Sequence, residues 1–158
     1  MNPRIEHLKK KKLIGLNVKM SLTDNRTGQL WRQFSPRVKE VQNRVADDKI
    51  SLQIYPPSYF EQFKPTTEFE KWATVEVTDF QEIPNGMKTL IVNGGLYAVF
   101  DYKGPSSDMS IFQYIFSKWL PSSNYAIDDR PHFEVLGSQY KNDDLESEEE
   151  IWIPIRQK

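Results

Sequence analysis

The same order of local patterns runs through the sequence twice: strand, helix, strand, strand. This repetition limits the architecture more than any single motif does. In the first pass, Leu13 to Leu22 sets Leu16, Val18 and Met20 in alternation with Asn17, Lys19 and Ser21, the period of a half-buried strand. Thr23 to Asn25 supplies a helix-start signal, and Leu30, Phe34, Val38, Val41 and Val45 then recur at helical spacing on one face. Pro36 falls inside that stretch. Because proline has no N–H and crowds the preceding turn, a kink or two abutting helices are expected there. Ile50 to Tyr55 reads as a strand ended by Pro56 and Pro57, and Tyr59 to Phe69 as a structured connection. Trp72 to Thr78 is a strand with Ala73, Val75 and Val77 on one face and Trp72, Thr74 and Glu76 on the other.

The second pass begins after the turn Pro84-Asn85-Gly86. Met87 to Val92 and Leu96 to Tyr102 read as strands around Asn93-Gly94-Gly95, and Gly104-Pro105-Ser106 breaks the sheet before a helix. That helix carries Ile111, Ile115, Phe116, Trp119 and Leu120 at helical spacing and is closed by Pro121. His132 to Leu136 and Glu150 to Ile155 supply the last strands, separated by the acidic loop Ser138 to Glu149. The expected fold class is α+β, a pseudo-duplicated pair of β-α-β-β units sharing an antiparallel sheet. One domain over residues 3–157 is expected, with half-units of about 3–80 and 84–157.

Charge and motif content close off many functions. Lys and Arg number 21 against 22 for Asp and Glu, so no bulk field draws the chain to nucleic-acid phosphates. Cysteine is absent, which removes thiolate nucleophiles and disulfides and suits a reducing cytoplasm. The longest apolar stretches, such as Leu96 to Phe100, fall far short of the roughly 20 residues a membrane-spanning helix needs, and no signal-peptide pattern follows Lys9 to Lys12. A cytoplasmic protein is expected, with the four lysines as a solvated segment before an edge strand. The seven glycines form neither a P-loop nor a dinucleotide fingerprint, so no nucleotide cofactor is expected. With only His7 and His132, a histidine triad or multi-histidine metal site lacks material, and no metal is expected. His132 and Glu134 share a strand face; a hydrogen-bonded pair there is preferred over a weak metal site.

What remains is an excess of aromatic residues, 13% of the chain. Most pack in the core, where burial of each ring contributes about 1.5–3 kcal/mol. Glu134 stands out against them, a carboxylate in the otherwise apolar His132-Phe133-Glu134-Val135-Leu136. Facing inward it would be costly without a partner. Three readings stay open: structural pairing with Arg130 or a lysine, a ligand cation held with aromatic faces, or a base of raised pKa in a dry pocket.

Several ordered fragments carry a resemblance: Leu30-Trp31-x-x-Phe34, Ile83-Pro84-x-Gly86-Met87, Gly95-Leu96-Tyr97-Ala98-Val99-Phe100, Trp119-Leu120-Pro121-x-Ser123-x-Tyr125, Pro131-x-Phe133-Glu134 and Ile151-Trp152-Ile153-Pro154-Ile155. Over about residues 3 to 157 the chain resembles the GyrI-like effector-binding family of gyrase inhibitory protein and multidrug-responsive regulators. The resemblance implies tandem SHS2-type units around a central ligand cleft, in which a buried glutamate and aromatics hold a lipophilic cation or amphipathic aromatic. Glu134 matches that glutamate's motif, and Tyr97 and Trp119 stand in the matching aromatic motifs; Tyr55 and Trp72 are added from topology. Regulator members carry a fused helix-turn-helix domain that residues 3–157 lack, so a stand-alone sensor or sequestering protein without direct DNA contact is expected. A protein partner, suggested by the gyrase-inhibiting relative, has no amphipathic surface stretch to support it. The alternative is hydrolysis of strained, cyclopropane-bearing toxins, as in some similar hydrolases. Glu134 would then engage the water, and Trp119 and Tyr97 would orient the substrate.

Overall fold

The computed structural model describes residues 2–158. Among these described residues nine strands join one antiparallel sheet system: β1 (Arg4–Leu8), β2 (Lys11–Met20), β3 (Arg44–Ile54), β4 (Phe69–Val77), β5 (Lys88–Val92), β6 (Gly95–Lys103), β7 (Tyr125–Ile127), β8 (His132–Leu136) and β9 (Glu148–Gln157). Their spatial order is β1-β6-β9-β8-β3-β4-β2-β5, with β7 paired to β9. The ends of this path meet. β1 runs into β2 and β5 into β6, and Leu8 opposite Gly95 continues the same register as Lys11 opposite Val92. The sheet therefore curls around on itself, and strands β5 and β6 do not pair with each other but bridge its two halves. Two glycines permit the bend. A Cβ on Gly94 would lie 2.2 Å from the Leu8 carbonyl oxygen, and Gly95 has φ +148° with Arg130 Nη1 2.4 Å from where its Cβ would stand.

The concave face of the curl is filled by Leu13, Leu52, Trp72, Tyr97, Val99, Phe133 and Trp152, with Phe133 and Trp152 stacked at 5.2 Å. The other face carries the helices. Helix α1 (Thr27–Phe34) lays Leu30 and Phe34 on Ile14, Ala73 and Val75. A tight 3₁₀ stretch, Ser35–Glu40, follows it directly, with Pro36 at its start, so the expected break at this proline is observed. The helical stripe ends sooner than its spacing predicts: Val41 is already extended, and Val45 lies exposed in β3. The second helical segment runs from α2 (Ser110–Tyr114) through one widened π turn, Ile115–Trp119, into α3 (Leu120–Ser122). Pro121 has no N–H to return to the Ser117 carbonyl, and the wide turn precedes it. Ile111, Ile115 and Leu120 pack there on Ala98, Phe100, Ile151 and Ile153.

Strand β1 precedes the first strand read from the sequence, Leu13 to Leu22, and the four lysines do not form a solvated segment before an edge strand. Lys9 and Lys10 are exposed at the bend, but Lys11 and Lys12 lie within β2, which is flanked by β4 and β5 rather than at an edge. Lys11 Nζ reaches Glu76 at 2.9 Å and Lys12 lies over the Phe80 ring. Among the described residues no helix is long and apolar enough to cross a membrane.

Candidate functional site

Between the α1 cluster and the α2 cluster, a strip of sheet on the helix-bearing face has no helix over it, and its side chains are polar. Registers place Ala73, Ser51, Glu134 and Ile151 in one cross-strand row and Lys71, Gln53 and His132 in the next. Alternation puts both rows on the same face. Ser51, Gln53, Lys71 and His132 are all buried, the lysine to 6% exposure, and Glu134 is partly buried. With the Gln53 amide assigned by its neighbours, its nitrogen donates to Glu134 Oε2 at 3.2 Å and to the His132 carbonyl at 3.3 Å, while its oxygen accepts from Lys71 Nζ. Gln53 thus links a carboxylate and an ammonium that do not meet directly.

The electrostatics follow from the lack of water. Burial pushes the Glu134 carboxyl above its usual range, with Lys71 and the Gln53 hydrogen bond pulling it back. Burial lowers Lys71, against the opposing pull of Glu134 and Glu149. Glu149, at the start of β9 on the same face, rises to about 7 through burial and then through the Glu134 charge. His132 is driven down to about 3 by burial, helped by nearby Arg130, and is therefore neutral at ordinary pH.

Aromatic rings close over one end of this floor. Pro56 and Pro57 stop β3, and Tyr59 N–H turns back to the Pro56 carbonyl at 3.2 Å, so Tyr55, Tyr59 and Phe60 fold over the sheet. Tyr55 packs on Tyr59 at 4.5 Å, on Phe69 and His132 at 4.9 Å, and on Phe60 at 5.0 Å. Phe60 in turn stacks on Phe116 of the π turn at 5.0 Å and on His132 at 5.2 Å, tying the two halves together. The Tyr55 hydroxyl is pushed well up by burial and by the Glu134 charge. A cleft of about 610 Å³ opens beside the rim, lined by Tyr55, Phe60 and His132 on one side and Leu120, Tyr125 and Arg130 on the other. A second, of about 570 Å³, is lined by Asp48, Tyr102, Gly137 and Glu149. Glu134 lines neither cleft, but its neighbours line both.

The residues singled out in the sequence separate into two groups. Glu134 and Tyr55 come together. Trp119 lies on the helix-bearing face but packs on Phe100 at 5.2 Å and Tyr125 at 6.4 Å. Tyr97 and Trp72 face the other way: Trp72, Leu52, Phe133, Trp152 and Val99 form one row of the concave core. The pleat sends Phe133 and Glu134 to opposite faces, so whatever packs on Phe133 is separated from the carboxylate by the sheet. Tyr97 is fully buried, donates to the Pro131 carbonyl at 2.8 Å and lies under the Arg130 guanidinium. Arg130 pairs with Asp128 at 2.7 Å, which removes it as the structural partner of Glu134. Lys71, Gln53, Glu149, Phe60 and Phe116 were missed. A signal existed for Gln53, which with Ser51 is polar and alternates with Ile50, Leu52 and Ile54 in a strand buried on both faces.

Comparison with known proteins bears on this arrangement. The model of a family described as Cass2, integron-associated effector binding protein, matches residues 4–155. The chain belongs to this effector-binding family. Its GyrI-like resemblance and its α+β fold are thereby borne out. A curated relative of this effector-binding protein is the transcriptional regulator BrlR of Pseudomonas aeruginosa, 28% identical over 157 residues; the match covers 98% of the chain but 56% of BrlR. Among solved structures, SAV2435 bound to tetraphenylphosphonium superposes with a TM-score of 0.73 at 14% identity, covering 99% of the chain and 94% of SAV2435. The integron cassette protein VCH_CASS2 of Vibrio cholerae superposes with a TM-score of 0.70 at 18% identity, covering 98% and 96%.

Proposed function

We propose that residues 3–157 act as one effector-binding unit that holds a small aromatic molecule bearing a positive charge over Glu134. The observation that carries this reading is the carboxylate itself. Glu134 sits partly buried with its proton affinity raised, beneath a rim of aromatic rings, on the strip of sheet that the helices leave uncovered. A cation there would restore the charge that burial disfavours, and each ring face it touched would add about 0.5–2 kcal/mol. SAV2435, of the same fold, binds tetraphenylphosphonium, a lipophilic cation, which supports this choice of chemistry. The Phe60 ring, stacked between His132 and Phe116, occupies the place where a flat ligand would stack, so binding directly over the carboxylate requires Phe60 to give way. Similarity to BrlR supports a role as a sensing module in transcriptional control or as a sequestering protein.

Titration of tetraphenylphosphonium by calorimetry tests the site. Saturable binding to the wild-type protein and its loss in Glu134→Gln are expected; equal binding to both proteins would place the cation elsewhere.

A second reading rests on the same carboxylate. A glutamate of raised proton affinity beside the Tyr55 hydroxyl suits a general base, taking a proton from water as the water oxygen bonds to a carbon of a strained cyclopropane. The ring bond that breaks leaves its electron pair on the departing carbon, which takes up a proton. Consumption of such an electrophile by the wild type and not by Glu134→Gln would favour hydrolysis over binding.

A further inference from the structure

The polar strip beneath the aromatic rim holds two opposite charges. Lys71 is 6% exposed, and among the described residues its ammonium has one hydrogen-bond partner, the Gln53 amide oxygen, and no carboxylate within the 4.0 Å of an ion pair. An ammonium has three donors, and burying it with a single neutral acceptor is costly. Its place is on the same face as Glu134: Lys71 lies opposite Gln53, and Glu134 lies opposite Ser51 in the adjoining row. A ligand that carried only positive charge would meet this ammonium at short range where little water screens it. An acidic group on the ligand would instead supply the acceptors that Lys71 lacks.

Resting on the reading that the Glu134 floor is the binding site, we propose that the effector is amphoteric. It is an aromatic molecule whose cationic group faces Glu134 and whose carboxylate or comparable acidic group takes the free donors of Lys71. Glu149 lies on the cationic side of this pair, coupled to Glu134, and Gln53 keeps the two poles apart by occupying both. Selectivity then comes from the spacing of opposite charges on a flat ring system as well as from hydrophobicity.

Two dyes that share a xanthene ring system test this with the full chain. Rhodamine 110 is a zwitterion carrying a free carboxylate, and rhodamine 123, its methyl ester, is a cation only. Fluorescence anisotropy should show the acid binding at least about tenfold more tightly than the ester, the scale of one charge-assisted contact. Lys71→Met should weaken the acid and strengthen the ester, and Lys71→Arg should keep the preference for the acid. A wild-type ratio of one or below, or an unchanged ratio in a folded Lys71→Met, overturns the proposal. The underlying site has its own test, because Glu134→Gln that left ester affinity unchanged would remove the site whatever the ratio. Binding of neither dye overturns the amphoteric proposal, while the site itself stands or falls by the tetraphenylphosphonium titration.

Discussion

His132 offers a quantitative test of how dry the buried polar strip is. Its side chain is 5% exposed and stacked on Phe60, and burial, with Arg130 nearby, lowers its pKa from 6.5 to about 3. Between those values the unfolded chain binds a proton at this residue and the folded chain does not. Stability contributed by the neutral ring is complete above about pH 6.5 and is lost as the pH falls toward 3, at about 1.4 kcal/mol per pH unit. From about pH 7 to about pH 5 the loss is ~2 kcal/mol. The Glu149 carboxyl opposes it. With its folded pKa raised from 4.5 to about 7, that group favours the folded state at low pH and loses the benefit as pH rises through 7. Glu134, shifted in the same direction, adds to that opposition. The wild-type protein should therefore lose less stability between about pH 6.5 and 5 than His132 alone would impose, since slopes of opposite sign overlap there. His132→Phe keeps the ring packing and removes one slope. Urea denaturation at several pH values should show this variant gaining about 2 kcal/mol on the wild type between pH 7 and pH 5. Parallel profiles for the two proteins would mean that His132 titrates normally in the folded state, and the reasoning that the strip is dry would fall with it.

The other expectations follow from the same arrangement of side chains. Glu149→Gln should stabilise the protein at about pH 8, where the carboxylate is ionised near Glu134, with the gain fading toward pH 5; a constant difference across that range in thermal melts would contradict the assigned coupling. Gly95→Ala forces a Cβ onto Arg130 Nη1 at φ +148° and should destabilise by roughly 1–3 kcal/mol, read as a lower denaturation midpoint. Trp72→Phe, on the concave face, should lower stability by about 1–3 kcal/mol and leave tetraphenylphosphonium affinity unchanged, whereas Tyr55→Ala should weaken that affinity. A specific affinity loss in Trp72→Phe would restore the concave face as the site.

Much of this protein was legible from local pattern. Alternation marked β4 and most of β2, and Pro36 broke the first helix where its missing N–H requires. A lone glutamate among apolar strand neighbours marked Glu134 as an exception. β1 was not legible, because Arg4–Leu8 is a polar, mostly exposed strand held by its partner β6 rather than by its own hydrophobic period. Which aromatic shares a face with Glu134 is likewise decided by register between strands far apart in the chain. A shift of one residue would exchange Tyr97 and Trp72 for their neighbours. Closure of the curled sheet sets those registers, bringing β8 beside both β3 and β9. Side-chain chemistry along the chain thus determined that a costly carboxylate needed company. Long-range strand pairing decided that its company is Gln53, Lys71 and Tyr55, because only assembled neighbours can set burial, and burial sets the charge.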